Sequence, residues 1–315
     1  TCKLFVMSDS VLHLWDERYH ALVAKNMMTD PLSPKLYLQT FLPYDYTNWT
    51  TNHIWLHKQP LPLWAISASF QIFGLNHFAL RLPSLVLTTI GIILVYKVCF
   101  YLFKKQQTSL FAAFLFSVNG YIIELTGGRQ ATDHPDVFFM FFILLGIYYG
   151  TRFIDTNKKA YNILVGVCLG AALLSKWLPA FIIMPVWFLL VLDSKKYSTK
   201  SIFIQLAVII LIGLILFLPW QLYIHHTFPK EAQWETSYNS KHFFETLEGQ
   251  YAPWYYFLDR MRIDYGELIY LPVIWLVYTL YQQKKQLKLW GLFLWFLIPI
   301  VFFSFAATKM QGYIL

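Results

Sequence analysis

The chain has 315 residues, of which 57% are hydrophobic, 19% aromatic and 13% charged, with a formal net charge of +8. A soluble domain carries about 25% charged residues, so a water-soluble globule is excluded and the surplus apolar surface must face lipid. The positive charge does not mark a nucleic-acid binder. Lys and Arg sit mainly in short gaps between apolar runs, where membrane orientation and anionic headgroups account for them.

Residues 1–60 are polar and long for a connector. A helix is expected from Glu17 to Met28 with Asp16 at its N-cap. Pro31, Pro34 and Pro43 follow, in a stretch rich in Tyr, Trp, Asn and Thr that includes the sequon Asn48-Trp49-Thr50, a short and frequent pattern. Residues 61–75 are apolar but shorter than the roughly 20 residues of a perpendicular span. They read as a helix lying flat at the interface with Trp64 at headgroup level; the alternative, a span, would put residues 1–60 and Asp133 on opposite faces. Eight runs then qualify as spans: 82–103, 108–124, 136–153, 161–174, 178–192, 201–223, 268–282 and 289–307. The short pair 161–174 and 178–192 meets at Ser175, Lys176 and Trp177 and is expected to form a tight hairpin. Residues 225–265 form a second long polar region, rich in aromatic rings that suit a membrane boundary, a sugar or a lipid.

Alternate gaps hold Lys104/Lys105, Arg152/Lys158/Lys159, Lys195/Lys196/Lys200 and Lys284/Lys285/Lys288. Short loops rich in Lys and Arg stay cytoplasmic, so Asp16, Glu17, Lys58, Asp133, Lys176, Lys309 and Tyr313 fall together on the opposite face. The chain divides into a first extracytoplasmic loop with juxtamembrane helices (1–81), spans with short loops (82–224), a large extracytoplasmic loop (225–265) and further spans (266–315). Thr1 is not a Met and Leu315 ends inside an apolar run, so we read the chain as a fragment with membrane helices expected on both sides. Cys2, Cys99 and Cys168 are scattered and form neither a disulfide framework nor a zinc spacing.

Five places could carry chemistry. Asp16-Glu17 opens a helix just outside the membrane: one carboxylate could face a reacting group, or both could simply favour a helix start. Lys58, in His57-Lys58-Gln59-Pro60-Leu61, could neutralise a phosphate at the surface or snorkel beside headgroups. His57 is a lone histidine, more often hydrogen-bonded than a metal ligand. The loop Gly127 to Asp136 gathers Arg129, Asp133 and Asp136, of which either acid could only cap the next helix. Lys176 lies between two apolar runs, where an ionisable group faces a polar cavity or a partner, and Asp133 is its expected partner. Thr308 to Tyr313 adds Lys309 and Tyr313 at the outer end of a span, as an anionic headgroup site or as interfacial anchors. Acids and lysines on one face at membrane depth suit a lipid-linked phosphate substrate.

These residues and their order resemble the GT-C glycosyltransferases, in the branch of the bacterial aminoarabinose transferases of lipid A and the protein O-mannosyltransferases. The pieces are Asp16-Glu17, Lys58-Gln59-Pro60-Leu61, Phe73 to Pro83, Asp133-His134-Pro135, Leu174-Ser175-Lys176, Leu218-Pro219-Trp220, Ala252 to Tyr256, and Lys309 to Leu315. Each is short, but eight in one order run nearly end to end. The resemblance implies an all-α polytopic GT-C helix bundle in the bacterial inner membrane. It implies an extracytoplasmic site and a polyprenyl-phosphate sugar donor, typically undecaprenyl phosphate. The family's acids fall on Asp16, with Glu17 beside it, and on Asp133, as catalytic residues. Its donor-phosphate lysine falls on Lys58, its lysine between short helices on Lys176 and its late tyrosine on Tyr313. Arg129, Lys309 and His242 complete the expected binding set, His242 or Lys241 standing where the family has a phosphate-binding arginine.

The chain departs from the aminoarabinose transferases in two places. They carry an acid where this chain has His57, and Glu-His where it reads Tyr238-Asn239. The resemblance leaves room for a divalent metal, but these departures put a metal site there in doubt, and no metal ligand or cofactor is assigned. The expected function is transfer of a sugar from the polyprenyl phosphate to a lipid, glycan or protein acceptor; the rival is a transporter or flippase of a lipid-linked sugar.

Overall fold

Apolar runs too long for a soluble core become helices here because only a helix satisfies its own backbone inside a bilayer. The computed structural model describes residues 2–14, 16–39, 42–48, 51–310 and 312. The helices are α1 (Cys2–Met7), α2 (Asp16–Met27), α3 (Pro60–Phe73), α4 (His77–Phe103), α5 (Gln106–Val118), α6 (Gly120–Thr126), α7 (Asp133–Thr156), α8 (Lys159–Lys176), α9 (Ile183–Ser194), α10 (Thr199–Thr227), α11 (Pro229–Phe244), α12 (Tyr256–Tyr265), α13 (Tyr270–Gln282) and α14 (Leu287–Phe305). Among the described residues the only β pairing is two isolated bridges, Lys35 with Ile54 and Tyr251 with Thr308. The chain is an all-α, multi-pass membrane protein.

Among the described residues, five helices are long and apolar enough to cross a bilayer on their own: α4, α7, α8, α10 and α14. The expected span 108–124 is a bent pair, α5 and α6, angled by 51°. The bend falls at Asn119, whose side chain accepts from Ile122 N at 2.9 Å and so starts a second helix. The expected span 268–282 is α13, too short alone, which meets α12 across a bend of 117°.

The tight hairpin expected of 161–174 and 178–192 does not form. Trp177 adopts φ +67 and a 3-10 turn follows over Leu178–Ile182, which turns the chain aside. α8 packs between α7 and α10, whereas α9 packs against α14 and α7. Small residues choose these neighbours. A Cβ on Gly166 would meet Ile212 Cβ at 2.8 Å, and one on Gly170 would meet Leu216 Cβ at 2.8 Å, so only glycine lets α8 and α10 approach this closely.

The main core lies at the centre of α4, α7, α8, α9 and α10, around Trp187, Phe153 and Ile147. Outward-facing residues such as Phe111, Leu211, Leu222 and Ile274 stay exposed, as a lipid-facing surface requires. On the basic side three helices end on a residue in the left-handed region: Lys104, Asn157 and Lys195, at φ +55, +56 and +55. At the other end α2 and α3 lie against the starts of α4 and α7 and the end of α8. That end carries the polar side chains.

Candidate active site

Asp16 is the first residue of α2. Its Oδ2 lies 3.6 Å from Lys58 Nζ and accepts a hydrogen bond from Thr132 N at 2.7 Å. Thr132 can donate from that position because it adopts φ +63 just before α7. Burial pushes the Asp16 carboxyl up, but Lys58, His20 and the Thr132 N–H outweigh it and hold the group well below the usual carboxylate range. Asp16 is thus a carboxylate at neutral pH, facing a lysine.

A second acid–lysine pair stands one step away through Thr132. The Thr132 hydroxyl donates to Asp136, and Asp136 Oδ1 lies 2.5 Å from Lys176 Nζ. Lys176 also donates to Gly312 O at 2.7 Å. The expected partnership of Lys176 with Asp133 is therefore corrected: Asp136 lies one helical turn further along α7 and takes that place. Asp133 instead accepts from His20 Nδ1 at 2.7 Å, both side chains fully buried.

Lys176 also stands 5.9 Å from the centre of the Phe139 ring. Phe139 and Leu178 line a cavity of about 620 Å³ that continues between the helices past Met140, Phe181, Trp295 and Phe302. Its walls are almost wholly apolar. The charged cluster therefore heads an apolar hollow.

Glu17, expected beside Asp16 at the reacting centre, faces the other way. Arg81 donates to it through Nε at 2.6 Å and Nη2 at 3.1 Å, and His13 N donates at 2.6 Å. Arg81 also donates to the carbonyls of Asp9 at 2.6 Å and Val11 at 2.9 Å. The pair is sealed from solvent and ties residues 7–13 to the start of α4. Gly128, at φ +71, lets the α6–α7 loop pass against Glu17, which any Cβ there would strike. Removing one member of a buried pair costs about 3–5 kcal/mol because the other charge is left bare. Arg81→Met should therefore lower the unfolding temperature of the detergent-solubilised chain sharply, and Glu17→Gln less so; an unchanged melting curve for Arg81→Met would show that the pair carries no stability.

Arg129 does not join the cluster: it reaches Asp9, at 3.4 Å. His242 packs on the Tyr238 ring and its Nδ1 lies 3.1 Å from Tyr238 O. Lys309 donates to Ala306 O at 2.7 Å. Neither makes a polar contact with Asp16 or Lys58 among the described residues, although backbone bonds from Thr308 to His242 bring α11 and the final segment together. Tyr313 and Trp49 lie outside the described residues. On the far side of Lys58, His57 Nδ1 lies 3.5 Å from Glu235 Oε2 of α11, and Tyr44 donates to Glu231. Burial first, and then Lys58, push the His57 pKa down despite Glu235, so the imidazole is neutral at pH 7. No group of three or more His, Cys, Asp or Glu side chains gathers to hold an ion among the described residues.

Sequence reading missed His20, Thr132, Arg81 and Glu235. Two signals were available: an arginine in the apolar opening of α4, which needs a partner, and a histidine four residues after Asp16, which shares its helix face.

A polytopic helical bundle whose juxtamembrane helices place an acid and a lysine over an apolar hollow is a GT-C-type architecture. Residues 57–223 match the family model for dolichyl-phosphate-mannose-protein mannosyltransferase, and the chain belongs to that family. It is 26% identical over 281 residues to the undecaprenyl phosphate-alpha-4-amino-4-deoxy-L-arabinose arabinosyl transferase of Pseudomonas savastanoi pv. phaseolicola, a match covering 85% of this chain and 51% of that protein. To the protein of the same name from Pseudomonas aeruginosa it is 25% identical over 284 residues, covering 85% and 49%. The chain spans about half the length of these curated relatives. The fold is similar to the crystal structure of ArnT from Cupriavidus metallidurans in the apo state, with TM-score 0.75 and 16% identity over 99% of this chain and 54% of that one. The same protein bound to undecaprenyl phosphate gives TM-score 0.70 at 16% identity, covering 99% and 56%. An Archaeoglobus fulgidus oligosaccharyltransferase gives 0.57 at 14%, covering 99% and 48%.

Proposed function

We propose that the chain is the catalytic part of a membrane glycosyltransferase that moves a sugar from a polyprenyl-phosphate donor to an acceptor hydroxyl on the extracytoplasmic face. The observation that carries this reading is the Asp16–Lys58 pair, 3.6 Å apart, beside Lys176 at the head of an apolar cavity of about 620 Å³. A sugar phosphate on a long isoprenoid needs those three things together: a carboxylate at the sugar, fixed cations at the phosphate and an apolar path for the tail. The curated relatives named for an undecaprenyl phosphate-linked donor support the same donor class here.

In this reading the donor phosphate lies against Lys58, with Lys176 near the first isoprenoid units and the tail between α4, α7, α9 and α14. The acceptor oxygen attacks the anomeric carbon as the bond to the phosphate oxygen breaks, which inverts that centre. The acceptor proton goes to Asp16. Negative charge grows on the departing phosphate, where Lys58 stabilises it more in the transition state than in the ground state. Arg81 and Glu17 hold the segment that leads into Asp16. The charge lies at one end of the bundle and not at its middle, where a transporter would place a substrate path.

The acceptor is a lipid, a glycan or a protein hydroxyl. Mass analysis of lipid, wall and protein glycans from cells with and without the gene tests the reading. One fraction should lose a sugar-sized mass while a polyprenyl-phosphate sugar accumulates, and Asp16→Asn should not restore it. Identical glycans and unchanged donor pools in the two strains would overturn the assignment.

A further inference from the structure

We infer that Thr132 is a positioning residue held in a strained backbone conformation for the reaction: its N–H aims the Asp16 carboxylate and its hydroxyl aims Asp136, so one residue sets both acid–lysine pairs. The inference rests on the proposed role of the Asp16–Lys58 pair.

The backbone is the first observation. Thr132 adopts φ +63 and ψ −1 directly before α7. Six described residues other than glycine have positive φ, and Thr132 is the β-branched one among them. Glycine reaches this region freely and asparagine at small cost, whereas a branched side chain there is crowded against its own backbone. Lys104, Asn157 and Lys195 adopt it only to end helices. Strain of this kind lowers stability and persists where the surroundings over-determine it.

Helix capping does not explain the residue. Asn76, Asn119 and Ser198 start α4, α6 and α10 in the ordinary way: φ is negative, and the side-chain oxygen accepts from the N–H three residues on. Thr132 stands at the same position before α7, but its side chain makes no capping bond. Its donors go to carboxylates instead. The N–H donates to Asp16 Oδ2 at 2.7 Å across the gap to α2, and the hydroxyl donates to Asp136, which pairs with Lys176. Turning φ to the common negative range would rotate the peptide that carries the N–H relative to the side chain, and would part the two bonds. The final segment closes on the same contact. A Cβ on Gly312 would meet Thr132 Oγ1 at 2.9 Å and Asp136 Oδ2 at 2.5 Å, so a side chain there would displace the pair, and the Gly312 carbonyl accepts from Lys176 at 2.7 Å.

The test separates position from fold. Full-length Thr132→Gly, Thr132→Val and Thr132→Ser are expressed to equal levels in cells lacking the native gene, and consumption of the accumulated polyprenyl-phosphate sugar is followed by mass spectrometry. The same proteins in lipid nanodiscs are titrated with undecaprenyl phosphate and then melted. Thr132→Gly keeps the N–H, frees the backbone and removes the hydroxyl. Thr132→Val keeps the branched shape and removes only the hydroxyl. Both should fold and bind undecaprenyl phosphate as wild type does, because Thr132 makes no contact with Lys58. Both should transfer about 10²-fold more slowly, the cost of misplacing a reacting group by about 1 Å. Thr132→Ser returns the hydroxyl beside the N–H and should recover most of the transfer.

A folded Thr132→Gly that consumes the donor at the wild-type rate overturns the inference and leaves the function standing. So does a wild-type rate from Thr132→Val, since the hydroxyl would then position nothing. Loss of fold or of undecaprenyl phosphate binding in both variants, in step with transfer, makes the residue purely structural and equally ends the proposal. Wild-type protein that neither binds undecaprenyl phosphate nor consumes the donor removes the functional reading itself, and the inference with it.

Discussion

Asp16→Asn should reduce sugar transfer in membranes by about 10²- to 10⁴-fold, the range for losing one acid–base group. Asparagine has the same shape, and its carbonyl oxygen can still accept from Thr132 N, now at 2.7 Å. The chain should therefore fold and insert as before. What is lost is a charge that can take a proton. Because the folded Asp16 lies well below the usual carboxylate range, ionisation adds stability at any pH above its unfolded value near 3.9, and that contribution disappears only as pH falls through the depressed folded value. The melting temperature at pH 7 should fall modestly in the variant, and the gap to wild type should close in strong acid. For the same reason wild-type activity should show no acid limb from Asp16 between neutral pH and about pH 4. Asp16→Asn membranes that transfer sugar at the wild-type rate would remove Asp16 from the chemistry.

Lys58→Ala should raise the donor KM and lower turnover together, by about 10²- to 10³-fold in all, as for loss of one donor to a developing anion. It should also change the pH profile in a way that separates it from a general loss of structure. Lys58 is the largest of the influences that lower the Asp16 pKa; burial, which raises it, remains. Without Lys58 the carboxyl should move up, and the acid limb of the residual activity should move to higher pH with it. Lys58→Arg should recover part of both effects, since the charge returns in a wider, planar head. A residual activity with unchanged donor KM and an unmoved acid limb would show that Lys58 meets neither the phosphate nor Asp16.

Much of the bundle was legible because lipid imposes a simple rule. Every run read as a span is mainly helical, though 108–124 is split into α5 and α6 and 178–192 opens with a 3-10 turn, and the α2 helix begins within a residue of its expected start. The element expected to lie flat after Lys58 forms the separate 14-residue helix α3, opened by Pro60 and closed by Gly74 at φ +80. The errors have local causes. One asparagine cap divides the second expected span, and one left-handed tryptophan turns the α8–α9 corner away from a hairpin. Neither changes the hydropathy of the run that contains it.

Of the expected members, Asp16, Lys58 and Lys176 lie in the two linked acid–lysine pairs, whereas Glu17, Arg129, His242 and Lys309 make their contacts elsewhere among the described residues. Asp16 and Lys58 meet, as their shared face required. Asp133 and Asp136 could not be told apart as partners of Lys176, because both open α7 and only two residues separate them. Which one meets the lysine depends on the rotation of α7 against α8. Glu17 read as a catalytic neighbour of Asp16, yet adjacent residues on a helix point about 100° apart, and Arg81 arrives from the other side.

From the sequence alone come the membrane environment and the family, since both are written in composition and in short motifs that act locally. Only the tertiary structure decided which acid faces which base. That outcome turns on helix rotations and on two residues, Thr132 and Trp177, in the left-handed region. Ion pairing at short range changes steeply with an ångström of displacement, and no pattern along the chain records that distance.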